Sequence, residues 1–427
     1  MKPFFVYFRN MKQYLHLLIF LPNLLFAQTE FLNNEELNYL KKFIYPISTT
    51  NPKVEDEKDL LFLNELIGKS NVVALGEVTH SSKEIFQLKH RIINYLIKNK
   101  EFDIVTMESP TVETNQINEF IIDNKTNARN VLNQLNFPIW ENYDVLNMIN
   151  SLHDYNLNHD KKVYIKGIDM QSYIPSISIL ETFYANNSID SSTLIQFKNL
   201  LVELQKNQTR ITNYTTNQKT QFEKYINQII YEISNTKDSK KNRDWALHNI
   251  TIITQYFDKM YRSNRDSFMA DNFFWTQNQY PNSKFIIWAH NQHIMQKKPA
   301  SGFYLDKKLK ENYTSIGFTF FSGQNRVFLN TMKKIPITKV VEAQIENSTS
   351  IEAYLNSLNI PIFLLDLKKI KEENNNLAKW ILNKKPYRWT GMVEAKNEFV
   401  NSSITDDFDY LIFINQSTIS TLLHEIE

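Results

Sequence analysis

No cysteine occurs in the 427 residues. That excludes cysteine nucleophiles, thiolate zinc sites, iron–sulfur clusters, disulfides and lipid anchoring through an N-terminal cysteine. Glycine is almost as scarce, with seven residues at 68, 76, 167, 302, 317, 323 and 391, where about 7% is usual. With those spacings no GxGxxG, GxxxxGK[ST] or GxSxG can be written, and HExxH is missing as well. Charge of one sign does not accumulate: 48 Lys and Arg oppose 46 Asp and Glu, and no single-sign block appears. A nucleic-acid partner is therefore not expected. What is left for chemistry is His, carboxylates, Lys, Arg, Ser, Thr and Tyr. At 42% hydrophobic and 13% aromatic, the chain has ordinary globular composition and enough length for a large core.

The N-terminus carries the one segment that reads as a targeting signal. Lys2, Arg9 and Lys12 precede an apolar run from Leu15 to Phe26, followed by Ala27-Gln28. The run is too short to span a bilayer, and residues 1–27 are expected to be a secretory signal peptide. Their removal takes away three positive charges and no negative one, leaving the mature chain near −1. The expected location is periplasmic or secreted, without stable membrane association. The oligomeric state is not set by the sequence.

Residues 28–427 are then expected to form the working domain. Short apolar runs at Asn71–Leu75, Asp103–Met107, Val163–Ile168 and Lys284–Ala289 have the length of buried strands, and Thr314–Phe320, Pro361–Leu365 and Tyr410–Ile414 look similar. Helical spacing lies between them, as in Ile85, Leu88, Ile92 and Leu96, opened by a possible Ser81-x-x-Glu84 capping box. Alternating strands and helices predict an α/β fold with a central mixed, largely parallel sheet flanked by helices. Residues 178–262 lack strand signals and carry helical stretches at Leu194–Leu204, Thr220–Ser234 and Trp245–Tyr261. They are expected to form a helical insertion capping the cleft. Phe273-Phe274-Trp275 reads as core.

Four strand candidates run straight into an ionisable residue: Glu77, Glu108, Asp169 and His290. In open α/β sheets the carboxyl ends of strands border the ligand crevice, so these four residues are expected to converge there. His80 precedes a predicted helix N-terminus, where the positive end of the dipole disfavours imidazolium and suits a general base. Glu77, three residues earlier, is placed to orient that ring, although E-x-x-H is also the spacing of a helix cap or surface pair. His290, in Trp288-Ala289-His290-Asn291-Gln292-His293, is a candidate to assist a developing oxyanion or protonate a leaving alkoxide, while His293 could equally be a surface residue. Glu108 needs a cation if buried, and His80, Lys89, Arg91 and His290 are the candidates. The same set could instead hold a divalent metal, through Glu77, His80, Glu108 and His290 or His293, or the histidines could ligate haem.

Taken together, these blocks resemble the erythromycin esterase family. The matching pieces are Ala74-Leu75-Gly76-Glu77-Val78-Thr79-His80, Lys89-His90-Arg91, Met107-Glu108-Ser109, Gly167-Ile168-Asp169-Met170-Gln171, Arg265-Asp266-Ser267-Phe268-Met269-Ala270-Asp271-Asn272, and Trp288 through His293. The likeness continues through Ser301–Leu305 and Ile316–Phe318, covering roughly residues 65–425. It implies hydrolysis of the macrolactone ester of 14-membered, erythromycin-like macrolides, with His80 as the base that activates water and resistance as the outcome. It further implies that Glu77 and Glu108 hold and polarise that assembly, that His290 assists at the carbonyl or leaving oxygen, and that Lys89, Arg91, Asp169 and His293 border the substrate. No cofactor is implied. Lys89 stands where the family has a characteristic arginine, keeping the charge but losing the planar fork. Relatives with a similar sheet include haem-binding ChaN-like proteins and Tiki-type metal-dependent proteases, so the fold alone does not select the chemistry.

Overall fold

In the computed structural model, the described residues are 32–135, 137–206, 214–258, 261–330, 337–345, 349–392 and 394–425. The signal-peptide reading of residues 1–27 lies outside them. Among the described residues, no helix is long and apolar enough to cross a membrane.

Among the described residues eleven strands form: β1 (Ile44–Pro46), β2 (Val72–Leu75), β3 (Ile104–Pro110), β4 (Tyr164–Asp169), β5 (Phe285–Trp288), β6 (Tyr313–Asn330), β7 (Ile337–Glu342), β8 (Ile362–Asp366), β9 (Lys385–Arg388), β10 (Phe399–Ser402) and β11 (Tyr410–Ser417). The main sheet has the order β1-β8-β11-β6-β2-β5-β3-β4, with β7 paired to the long outer part of β6. From β11 to β4 every pairing is parallel, and β8 and β1 close one side antiparallel. This is the mixed, mostly parallel α/β sheet expected from the sequence. All seven apolar runs are strands, with ends shifted by a residue or more.

The strands read as unbroken apolar runs because both faces are covered. Val73, Leu75, Ile286 and Trp288 enter one core layer with Ile85, Leu88 and Ile92 of the helix Lys83–Lys100. Val72, Ala74, Phe285 and Ile287 enter the opposite layer, where Phe273 of the helix Tyr261–Gln279 packs. Phe273 is buried as expected, while Trp275 is only half-buried.

One helix start differs from expectation. Ser82, not Ser81, caps the helix Lys83–Lys100 through the Ile85 amide. Ser81 Oγ instead accepts from the Arg326 backbone, and Glu84 receives the Thr418 amide and hydroxyl. The Ser81 side chain is therefore spent on β6 and that of Glu84 on the segment after β11. That segment continues across the helix start, with Ser420 N bonded to Ser81 O and Leu423 N to Glu141 O.

The insertion comprises the helices Ile174–Asn186, Ser192–Lys206, Thr216–Ser234 and Lys240–Phe257, so its last helix stops before the expected end. These four have their own core, including Leu180, Phe197, Leu201, Ile229 and Ile253. They meet the sheet side of the molecule along the helix Tyr261–Gln279.

Candidate active site

The turn after β2 is set by close approach. Gly76 lies against Asn291, whose Oδ1 would stand 2.1 Å from an added Cβ. Asn291 can come so near because it bridges strands: its amide nitrogen donates to Phe318 O at 2.7 Å and Tyr387 OH at 2.6 Å, its Oδ1 accepts from Phe318 N, and its backbone N–H donates to Glu77 O at 2.8 Å. The loops leaving β2 and β5 are thereby held together.

Glu77 is fully buried and accepts three hydrogen bonds: from His80 Nδ1 at 2.6 Å, Lys89 Nζ at 2.8 Å and Trp288 Nε1 at 2.6 Å. Burial pushes its carboxyl pKa up, but Lys89 and His80 outweigh burial and leave it below the usual value. Lys89 is itself fully buried, 4.4 Å above the Trp288 ring, and burial brings its pKa down to about 8 against the pull of Glu77. Because Nδ1 of His80 donates to Glu77, the neutral ring carries its lone pair on Nε2. The His80 ring centroid lies 5.0 Å from that of His290, whose chain position is 210 residues later.

His290 is held entirely by backbone. Nε2 donates to Thr390 O at 2.6 Å, with Val78 O at 3.1 Å, and Nδ1 accepts from Gln292 N at 3.2 Å. Burial first, then the neighbouring His80, brings its pKa down to about 4, so the ring is neutral. Its main-chain N–H donates to Glu108 Oε2 at 2.9 Å.

The cations that pair directly with Glu108 are not among the four named from the sequence, of which His80 adds a smaller attraction from further off. Arg265 Nη2 lies 2.9 Å and His293 Nε2 3.1 Å from Glu108 Oε1. Arg265 also pairs with Asp169 through Nη2 and, at 3.2 Å, through Nε. His293 Nδ1 donates to Asp266 at 2.7 Å. Burial alone would take the proton from His293, but Glu108 and Asp266 outweigh it and raise the pKa to about 10. An imidazolium donates from both nitrogens, so the 3.2 Å approach of Arg265 Nη1 to His293 Nε2 is a contact between two cations tolerated among three carboxylates. In return His293 and Arg265 hold the Glu108 pKa well below the usual range despite burial.

Glu77, His80, Lys89, Glu108, Asp169, His290 and His293 thus converge, joined by Arg265 and Asp266. Arg91 does not join them: its guanidinium is spent on Asp59, at 2.6 and 2.9 Å, and on the carbonyls of Thr49 and Asp56. Arg265 and Asp266 belong to a block already quoted for its family likeness; what hid their role was a helical position with no strand before it. The donor set does not suit a metal ion. His293 turns both nitrogens toward carboxylates and both nitrogens of His290 serve backbone groups, which leaves Nε2 of His80 without a second imidazole to share an ion with. Among the described residues no group of three His, Asp or Glu side chains is arranged to hold one.

The family model for erythromycin esterase matches residues 97–417, three quarters of the chain. The chain belongs to the erythromycin esterase family. Within it, this member is 21% identical to the putative hydrolase YbfO of Bacillus subtilis, over 90% of this chain and 92% of that protein. It is 23% identical to the erythromycin esterase type II of Escherichia coli, over 85% and 93% respectively. Several solved structures share the fold of this family member. One is described as a succinoglycan biosynthesis protein, with a TM-score of 0.76 at 22% identity over 91% of this chain and 98% of that one. Another is a mutant of the erythromycin esterase EreC in its open conformation, at 0.67 and 16%, over 86% and 96%.

Proposed function

We propose that this family member hydrolyses the lactone ester of erythromycin-like macrolides with water activated by His80, is exported, and thereby protects its host from the drug. The observation that carries the mechanism is the Glu77–His80 pair: a buried carboxylate holds Nδ1–H, leaving the basic Nε2 as proton acceptor. Water adds to the lactone carbonyl as its proton passes to Nε2. The tetrahedral intermediate expels the ring oxygen, which takes that proton, giving a hydroxy acid. Glu77 stabilises the transient imidazolium, and Lys89 and Trp288 keep Glu77 ionised and oriented. Arg265, at 21% side-chain exposure the most open cation of the cluster, is assigned to the carbonyl oxygen. His290, its nitrogens engaged by backbone, forms the wall facing His80 rather than a proton donor. The helical insertion is assigned as cover for the cleft.

The test is incubation of purified protein with erythromycin in water enriched in heavy oxygen, followed by mass spectrometry. One heavy oxygen should appear in the opened carboxylate, and turnover should survive exhaustive chelation. His80→Ala should lower kcat by about 10²–10⁴-fold. Unaltered drug sinks the substrate assignment, and near-normal turnover by the variant sinks the mechanism.

A further inference from the structure

A cavity of about 520 Å³ lies where β4 and the short helix Thr111–Asn115 after β3 face the helices Lys240–Phe257 and Tyr261–Gln279. Its size falls within the range of small-molecule sites, about 300–1,000 Å³. None of the residues gathered around His80 lines it. Trp245, Trp275 and Tyr280 give it an aromatic wall; the two indoles lie 5.7 Å apart, and His248 stacks behind Trp275 at 3.8 Å.

The unusual feature is its charge. Lys166 projects from β4 into this aromatic setting, with Nζ 3.1 Å from Asn115 Oδ1, 5.3 Å from the Tyr280 ring centre and 5.8 Å from that of Tyr164. Among the described residues no carboxylate lies within ion-pair distance of Lys166 or of Lys241 beside it. The one acid on the lining, Asp244, is taken by Lys240. Burial, with Lys241 nearby, lowers the Lys166 pKa to about 8, which leaves it mostly charged at neutral pH. A largely buried cation without a counter-ion costs free energy that an anion would recover.

We propose that this cavity binds a small planar aromatic carboxylate, its ring against Trp245 and Trp275 and its carboxylate on Lys166. A carboxylate accepts from the ammonium hydrogens left over by Asn115, and a flat ring matches the indole surface. Neither half of the requirement is met by the wide, many-ringed saturated substrate proposed above, and the site does not depend on that proposal.

The full-length protein is titrated with 1-naphthoate while tryptophan fluorescence is followed, with calorimetry in parallel. The neutral 1-naphthalenemethanol and the non-aromatic cyclohexanecarboxylate serve as comparison probes. Saturable one-to-one binding of 1-naphthoate is expected, with both comparison probes weaker by about tenfold or more. Lys166→Met should lose about tenfold or more of the 1-naphthoate affinity, with an unchanged circular dichroism spectrum and melting temperature no lower than the parent. His80→Ala should bind as the parent does. Absence of saturable binding, equal binding of the neutral probe, or full affinity in a folded Lys166→Met variant each overturns the proposal; should that variant misfold, Trp275→Ala decides in its place by calorimetry, where weakened 1-naphthoate binding supports the site and unchanged affinity overturns it.

Discussion

At the residue scale, the site is a set of charges that would be costly singly and are tolerable together. His293 shows how the arrangement depends on pH. Its pKa rises from the ordinary 6.5 to about 10 in the folded protein, so its proton is held more tightly than in the unfolded chain. The stabilisation is full below about pH 6.5 and is lost as pH climbs towards about 10. The stability gap between parent and His293→Gln, measured by urea unfolding, should therefore shrink steadily across that window. A gap that widens with pH would show that His293 is not held as an imidazolium. Much of this site was legible beforehand: Glu77, Glu108, Asp169 and His290 lie at or just past the carboxyl ends of their strands, with His80 on the turn three residues after Glu77, and the order of strands places such residues together. What the sequence concealed was who pairs with whom. Arg91 and Lys89 are two residues apart on one helix and so point in different directions, one to Asp59 and the other to Glu77.

At the element scale, the strand candidates were readable because burial on both faces leaves runs of Val, Ile, Leu and Phe. β1, β9 and β10 escaped notice because they are three or four residues long and contain polar or proline positions, and β7 because Thr338, Lys339 and Glu342 interrupt its apolar residues. The capping-box reading failed for a different reason: Ser81 and Glu84 have the right spacing, but partners far along the chain, Arg326 and Thr418, compete for both side chains. The junction at Gly76 has little room for change. Gly76→Ala should displace Asn291 and lower stability by about 1–3 kcal/mol, the cost typical of overpacking, as read from denaturant midpoints. A change within error would mean that the Asn291 bridge yields freely.

At the scale of the whole molecule, the four-helix insertion was readable as helical because it lacks strand-like runs, although its last helix ends at Phe257 and a new one begins at Tyr261. Export is tested on the full chain. When it is expressed in a bacterium with a periplasm, N-terminal sequencing of the periplasmic fraction should read Gln28 first. An uncut chain confined to the cytoplasm would refute export.

The strand β11 lies between β6 and β8, and the segment beyond it crosses the start of the helix that follows His80. Synthesis by the ribosome delivers β11 after every other strand of the main sheet. A polypeptide halted before residue 410 therefore holds the Glu77–His80 turn while lacking the strand that seals β6 to β8.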